Sequence, residues 1–259
     1  MTFTGLIGTI CMFPLRAIIR ACVVLRIHPN VLTFVGVLIN VGAAWALATG
    51  RFVTAGAIMI AANVFDFIDG KVAREMGMES AFGGFWDSVM DRFSDLALFL
   101  GLVYLYSSVH RTDYVVITVI AMIFTVLTSY ARARAESVVA QCKVGFMERP
   151  ERIVLFMIGA FTNRMAAVIW VIGVLSVVTV INRIEYTYRE LEGRPKPPRT
   201  GVTGMFVRAF YWTDERATLA YDLWVIAILA FVWLTPPSWI GDPVATDNGP
   251  VEWVVQLLR

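Results

Sequence analysis

The chain has 259 residues, 58% of them hydrophobic and only 16% charged, with a net charge of +2. A water-soluble domain averages about 45–50% apolar and about 25% charged residues, so this much apolar surface requires a bilayer as solvent. So small a net charge excludes nucleic acid as an expected partner.

The first residues, MTFTGLIGTICMF, place no basic stretch ahead of an apolar run, so no cleaved signal peptide is expected. Segment 3–24 mixes Leu, Ile and Val with Arg16 and Arg20. That pattern predicts a helix lying in the interface, within an N-terminal segment 1–27. Apolar stretches then recur at about 31–49, 52–74, 83–106, 113–135, 150–162 and 165–182. About twenty helical residues cross a hydrocarbon core. The fifth stretch is short and is expected to begin within Glu148–Arg152. Residues 186–216 include the Pro- and Lys/Arg-rich run RELEGRPKPPRTG and read as a basic linker. A seventh apolar stretch, 217–234, opens a C-terminal segment 217–259 that carries Asp242, Asp247 and Glu252. The expected fold is therefore an all-α, polytopic membrane helix bundle with its core at 28–185. To that core are added the interfacial N-terminal helix and one extra C-terminal membrane helix.

Basic residues sort to one set of helix ends. Arg16, Arg20, Arg26, Lys71, Arg74, Arg132, Arg134, Lys143, Arg149, Arg152, Arg183, Arg189 and Arg194 fall there, against Arg51, Arg111 and Arg164 at the other. The positive-inside rule makes the rich side cytoplasmic.

Cys11, Cys22 and Cys142 form no CxxC pair, and His28 and His110 are too scattered for zinc. Any metal is therefore a hard cation on carboxylates. Two spans carry such groups. Asp66 and Asp69 follow about fourteen mainly apolar residues, roughly 21 Å of helix. Asp87 and Asp91 open the next span. Each charged group within a bilayer costs at least about 2.5 kcal/mol, so its default reading is functional. At 100° per residue, Asp66, Asp69, Gly70, Ala73 and Arg74 share one broad side of their helix, while Gly83, Asp87 and Asp91 form an i, i+4, i+8 stripe. Four facing carboxylates repel one another unless cations intervene, and two divalent ions among them form a clamp suited to in-line attack at phosphorus. The bland alternative is a set of helix-end residues paired with Arg74 or Arg92.

The run Asp66-x-x-Asp69-Gly70-x-x-Ala73-Arg74, eight residues, Gly83-x-x-x-Asp87-x-x-x-Asp91 resembles the full signature of the CDP-alcohol phosphotransferases, from about His28 to Arg183. The resemblance implies a six-helix bundle, often homodimeric, with a cavity opening to the cytoplasm. It implies that all four aspartates bind Mg²⁺ or Mn²⁺, two ions, and that Asp91 is the general base. It also places CDP-lipid contacts at Asn30, Val31, Leu32, Thr33, Gly70, Ala73, Arg74, Ser80 and Gly83. Read from residues alone, HPN-x-x-T is equally an ordinary helix start capped near Pro29 or Asn30.

For the acceptor, Ser129 and Arg132 share a face at i, i+3, whereas Arg134 lies about 200° from Arg132. Arg149 and Arg152 are again i, i+3, and Arg183 closes the sixth span. Clustered guanidinium groups suit a phosphate, although the same residues also serve as positive-inside markers. The wording SYxRARAE…GxxERPER with DSxxDR is most similar to the phosphatidylinositol phosphate synthases. That resemblance implies CDP-diacylglycerol and inositol 1-phosphate as substrates; glycerol 3-phosphate is the alternative acceptor. A transporter using the intramembrane aspartates as a cation path is the competing class. The absence of any internal repeat, or of paired broken helices, argues against it.

Overall fold

A computed structural model describes residues 15–194, 204 and 219–245, and every regular element among them is helical. Residues 15–24 form α1, which ends where Arg26 takes a left-handed φ of 52°. Ile19 and Cys22 of α1 are buried against Leu32, Ile68 and Val72, so its inner side packs on the bundle. The part of the expected interfacial helix before residue 15 lies outside the described residues.

α2 (Pro29–Ala48) starts on His28, whose Nδ1 accepts from the Asn30 amide at 3.2 Å, with Pro29 in the first turn. The tight turn at Gly50, φ 70°, leads into α3 (Phe52–Glu75). α4 (Ala81–Ser108) is capped by Ser80, whose Oγ accepts from the Gly83 amide at 3.0 Å. α5 (Thr112–Glu136), an irregular stretch at 137–148, α6 (Arg149–Thr162) and α7 (Met165–Leu191) complete the expected six-helix core. The fifth span starts at Arg149, inside the expected window.

Four of these helices, α2, α3, α5 and α7, are long and apolar enough to cross a bilayer. α4 is longer still, but Asp87, Asp91, Arg92 and Asp95 lie along it between its start and its middle. α6, about 21 Å long, relies on its neighbours for length. Large apolar side chains face outward, among them Trp45 at 73% exposure, Tyr104 at 65% and Leu100 at 64%. Such a surface is tolerable only in lipid. α2 packs on α3 and α4, α5 on α4 and α7, and α6 on α3 and α7. The α2–α4 crossing is in backbone contact: a Cβ on Gly101 would stand 2.3 Å from the Ala44 carbonyl oxygen. Small residues at such a crossing let membrane helices approach where larger ones cannot.

Two expected boundaries move. α7 continues to Leu191, past the expected end of the span at 182 and into the linker expected at 186–216. Asn182 and Arg183 end the apolar run, not the helix, which goes on with an i, i+4 pair between Glu185 and Arg189 at 2.6 Å. The seventh stretch becomes α8 (Leu219–Leu234), about 24 Å and shorter than a hydrocarbon core of about 30 Å; residues 217–218 lie outside the described residues. α8 packs on α7 and is followed by the single turn α9 (Pro237–Ile240). The extension is tied down at both ends. Tyr221 donates to Glu151 at 3.3 Å and packs on Phe146, while the Tyr114 hydroxyl donates to the Ile240 carbonyl at 2.5 Å.

Candidate active site

The antiparallel order of the helices brings the C-terminal end of α3 beside the N-terminal halves of α2, α4 and α6. Oxygens of Asp66, Asp69 and Asp87 come within 4.8 Å of one another. Asp69 is buried and accepts from the Thr33 hydroxyl at 2.5 Å, which ties α2 into the acidic centre. This donor set is all carboxylate oxygen, with no sulfur or imidazole. It suits Mg²⁺ or Mn²⁺, and its crowded charge fits a divalent cation.

Asp91 does not join that trio. Its Oδ1 lies 3.0 Å from Arg149 Nη2, and its Oδ2 lies 3.8 Å from Arg92. Arg149 also holds Asp66 through Nη1 at 2.8 Å, and its Nε stands 3.8 Å from Asp95. One guanidinium therefore spans three carboxylates from α3 and α4. A cavity of about 10 Å³, room for about one water, lies between Thr33, Asn40, Asn63, Asp66, Asp91 and Arg149.

The expected CDP-lipid residues divide. Asn30 and Val31 line an open hollow of about 430 Å³ with Phe34, Phe82 and Trp86, and the Trp86 indole donates to the Asn30 carbonyl at 3.2 Å. Gly83 keeps this wall thin: a Cβ there would meet Ser80 Oγ at 3.2 Å and Asn30 Oδ1 at 3.8 Å. Ser80 is exposed and Ala73 half-buried, both at the same end of the bundle. Arg74 is exposed and folds back to donate to the Gly70 carbonyl at 2.9 Å. Leu32 departs from expectation. Its side chain is buried in the apolar cluster with Ile19, Ile68 and Val72.

The expected acceptor residues divide as well. Arg149 stands on the centre, whereas Arg132 pairs with Glu148 at 3.0 Å and Glu136 at 3.1 Å. Arg152 is buried, donating to Asp95 at 2.8 Å and to the Met147 carbonyl at 3.3 Å. Arg183 is equally buried and binds the carbonyls of Thr128 and Val144. Both are 3% exposed and bonded to the Met147 or Val144 carbonyl, so they hold the 137–148 stretch in place. Ser129 is half-buried next to Thr128, and Arg134 is exposed and turned to Ser137. Asp95 was missed in the sequence. Its signal was available, because it extends the Gly83, Asp87, Asp91 stripe by one more i+4 step.

Residues 26–182 match the family model described as CDP-alcohol phosphatidyltransferase. Archaetidylinositol phosphate synthase of Pyrococcus horikoshii is 33% identical over 180 residues, 69% of this chain and 93% of that protein. Phosphatidylinositol phosphate synthase of Mycobacterium tuberculosis is 33% identical over 179 residues, 64% of this chain and 82% of that protein. The crystal structure of that synthase with CDP-DAG bound superposes with a TM-score of 0.62 at 29% identity, covering 67% of this chain and 93% of that one. Its complex with manganese and citrate gives a TM-score of 0.63 at 28% identity, covering 72% and 95%. With its acidic centre set in a multi-pass helical bundle, the chain belongs to the CDP-alcohol phosphatidyltransferase family of membrane enzymes.

Proposed function

We propose that this enzyme transfers the phosphatidyl group of CDP-diacylglycerol to a hydroxyl of an inositol phosphate and releases CMP. The observation that carries the reading is Arg149, whose guanidinium, a group suited to phosphate, stands between Asp66 and Asp91. The relatives support it, since both curated proteins make inositol phosphate lipids and the mycobacterial enzyme has been seen with CDP-DAG.

Asp66, Asp69, Asp87 and Asp91 would hold two divalent cations, Mg²⁺ or Mn²⁺, which supply Lewis-acid polarisation of the pyrophosphate and neutralise its charge. Asn30, Val31, Thr33, Gly70, Ala73, Arg74, Ser80 and Gly83 orient the CDP-lipid along the starts of α2 and α4 and the end of α3. The aromatic hollow at Phe82 and Trp86 takes its apolar part. Arg149 and Arg132 hold the acceptor phosphate, with Ser129 and Arg134 at the edge. Arg152 and Arg183 fix the backbone that carries them. Asp91 takes the proton from the attacking hydroxyl. The new O–P bond forms as the bond to CMP breaks, and the electron pair leaves on the CMP phosphate. A single displacement of this kind needs no Ser or Cys nucleophile.

The reading also places residues 28–185 as the catalytic core, the arginine-rich end in the cytoplasm, and the working unit as a homodimer. The test uses purified protein, CDP-diacylglycerol and Mn²⁺ with inositol 1-phosphate, glycerol 3-phosphate or free inositol in turn. CMP release with inositol 1-phosphate, and a lipid product of matching mass, is the expected result. Release with glycerol 3-phosphate alone overturns the acceptor and keeps the chemistry. Release with none overturns the proposal.

A further inference from the structure

Asp95 is 6% exposed, one helical turn beyond Asp91 and deeper in α4. A carboxylate at that depth is costly unless it does something specific. It stands outside the Asp66, Asp69 and Asp87 trio. Its two oxygens go instead to two arginines of α6. Oδ2 accepts from Arg152 Nη2 at 2.8 Å, and Oδ1 lies 3.8 Å from Arg149 Nε.

The two arginines are held differently. Arg152 is 3% exposed, and its Nη1 also faces the Thr128 hydroxyl at 3.4 Å and the Met147 carbonyl at 3.3 Å, so it stays in place. Arg149 leans on Asp95 only through Nε, and its two terminal nitrogens point at Asp66 and Asp91. Those nitrogens are the pair with which a guanidinium grips a phosphate bidentately. A buried ion pair is weak evidence for stability, because apolar residues of similar volume often do as well; its better-attested use is to fix register. Turning α6 by one residue would swing its side chains through about 100° and carry Arg149 off the reaction centre. A carboxylate on the facing helix that is bonded to Arg152 at 2.8 Å and stands 3.8 Å from Arg149 Nε, residues i+3 and i of α6, opposes that turn.

We propose that Asp95 is a positioning residue that sets α6 on α4, so that Arg149 presents its two terminal nitrogens to the phosphate of the acceptor. The inference rests on the reading of the acceptor as a phosphorylated alcohol. Neither Arg152 nor Asp95 touches substrate; both act through Arg149.

The test measures KM for inositol 1-phosphate and for CDP-diacylglycerol separately, with Mn²⁺ affinity read directly by electron paramagnetic resonance. Asp95→Asn is expected to raise the acceptor KM about tenfold or more, with the CDP-diacylglycerol KM within about twofold of wild type and Mn²⁺ binding not weakened. Asp95→Glu, which keeps the charge, recovers most of the acceptor KM. Because Asp95→Asn strands a buried arginine and can fail to fold, the double variant Asp95→Leu/Arg152→Met removes both charges. It is expected to fold with a wild-type Tm and to keep the raised acceptor KM. A folded double variant with wild-type acceptor KM overturns the inference, and so does an equal rise in both KM values. If the wild type accepts only unphosphorylated alcohols, the proposed acceptor falls and this inference falls with it. Wild-type activity on inositol 1-phosphate with an unmoved KM in the variants overturns this inference alone.

Discussion

Replacing Arg149 by glutamine should move two affinities in opposite directions. Arg149 donates to Asp66 at 2.8 Å and pairs with Asp91 at 3.0 Å, and both carboxylates belong to the motif proposed to take the cations. An arginine there is a resident positive charge competing with any metal for the same oxygens. Its side chain is 20% exposed, against 30% for Asp66 and 14% for Asp91, so the pairs lie between the surface and the deep interior. Exposed pairs contribute up to about 1 kcal/mol, and hydrogen bonds to charged groups about 1.5–3 kcal/mol. After screening, a net of about 1.5 kcal/mol for the two together is reasonable, and that corresponds to roughly tenfold in affinity. Arg149→Gln keeps a polar, though shorter, side chain and removes the charge. Mn²⁺ should therefore bind roughly tenfold more tightly, while the KM for the phosphorylated acceptor rises by about the same factor or more. Free Mn²⁺ followed by electron paramagnetic resonance in detergent gives the first value, and CMP release gives the second. A variant of unchanged thermal stability that binds Mn²⁺ no better than wild type would refute the competition. Weakening of both affinities would reduce Arg149 to a structural residue.

Asp91→Asn should lower CMP release by about 10²–10⁴-fold while Tm stays within a few degrees, because the amide keeps the shape but cannot take the proton. Removing divalent cations with a chelator should abolish turnover, and added Mn²⁺ or Mg²⁺ should restore it; activity that persists in excess chelator would contradict the metal reading. Gly101→Ala should destabilise the fold by about 1–3 kcal/mol, since its Cβ would stand 2.3 Å from the Ala44 carbonyl oxygen and force α2 and α4 apart. A lowered unfolding midpoint in detergent checks this, and an unchanged midpoint would mean that the crossing is looser than described.

The acidic centre was legible because its information is local. Asp66 and Asp69 at i, i+3, and Asp87 and Asp91 at i, i+4, sit on one side of their own helices whatever those helices pack against. Helix ends were less legible for a related reason. Polarity marks where a helix leaves hydrocarbon, not where its hydrogen bonding stops, so α7 runs on to Leu191 after Asn182 and Arg183 end the apolar run. The division of the arginines could not be read at all from spacing. Arg149 and Arg152 are one turn apart in the same helix, yet one stands on the reaction centre and the other is sealed against Asp95, Thr128 and Met147. Only the path of the 137–148 stretch and the pose of α6 against α4 separate them. The bond from Thr33 to Asp69, between residues 36 apart, depends in the same way on how α2 meets α3. A chain that places charge in a membrane thus announces its chemistry along single helices, whereas the selection among its charges is made where helices meet. Residues outside the signature, above all Asp95, are therefore where the proposed acceptor's affinity should be adjustable without touching the four signature aspartates.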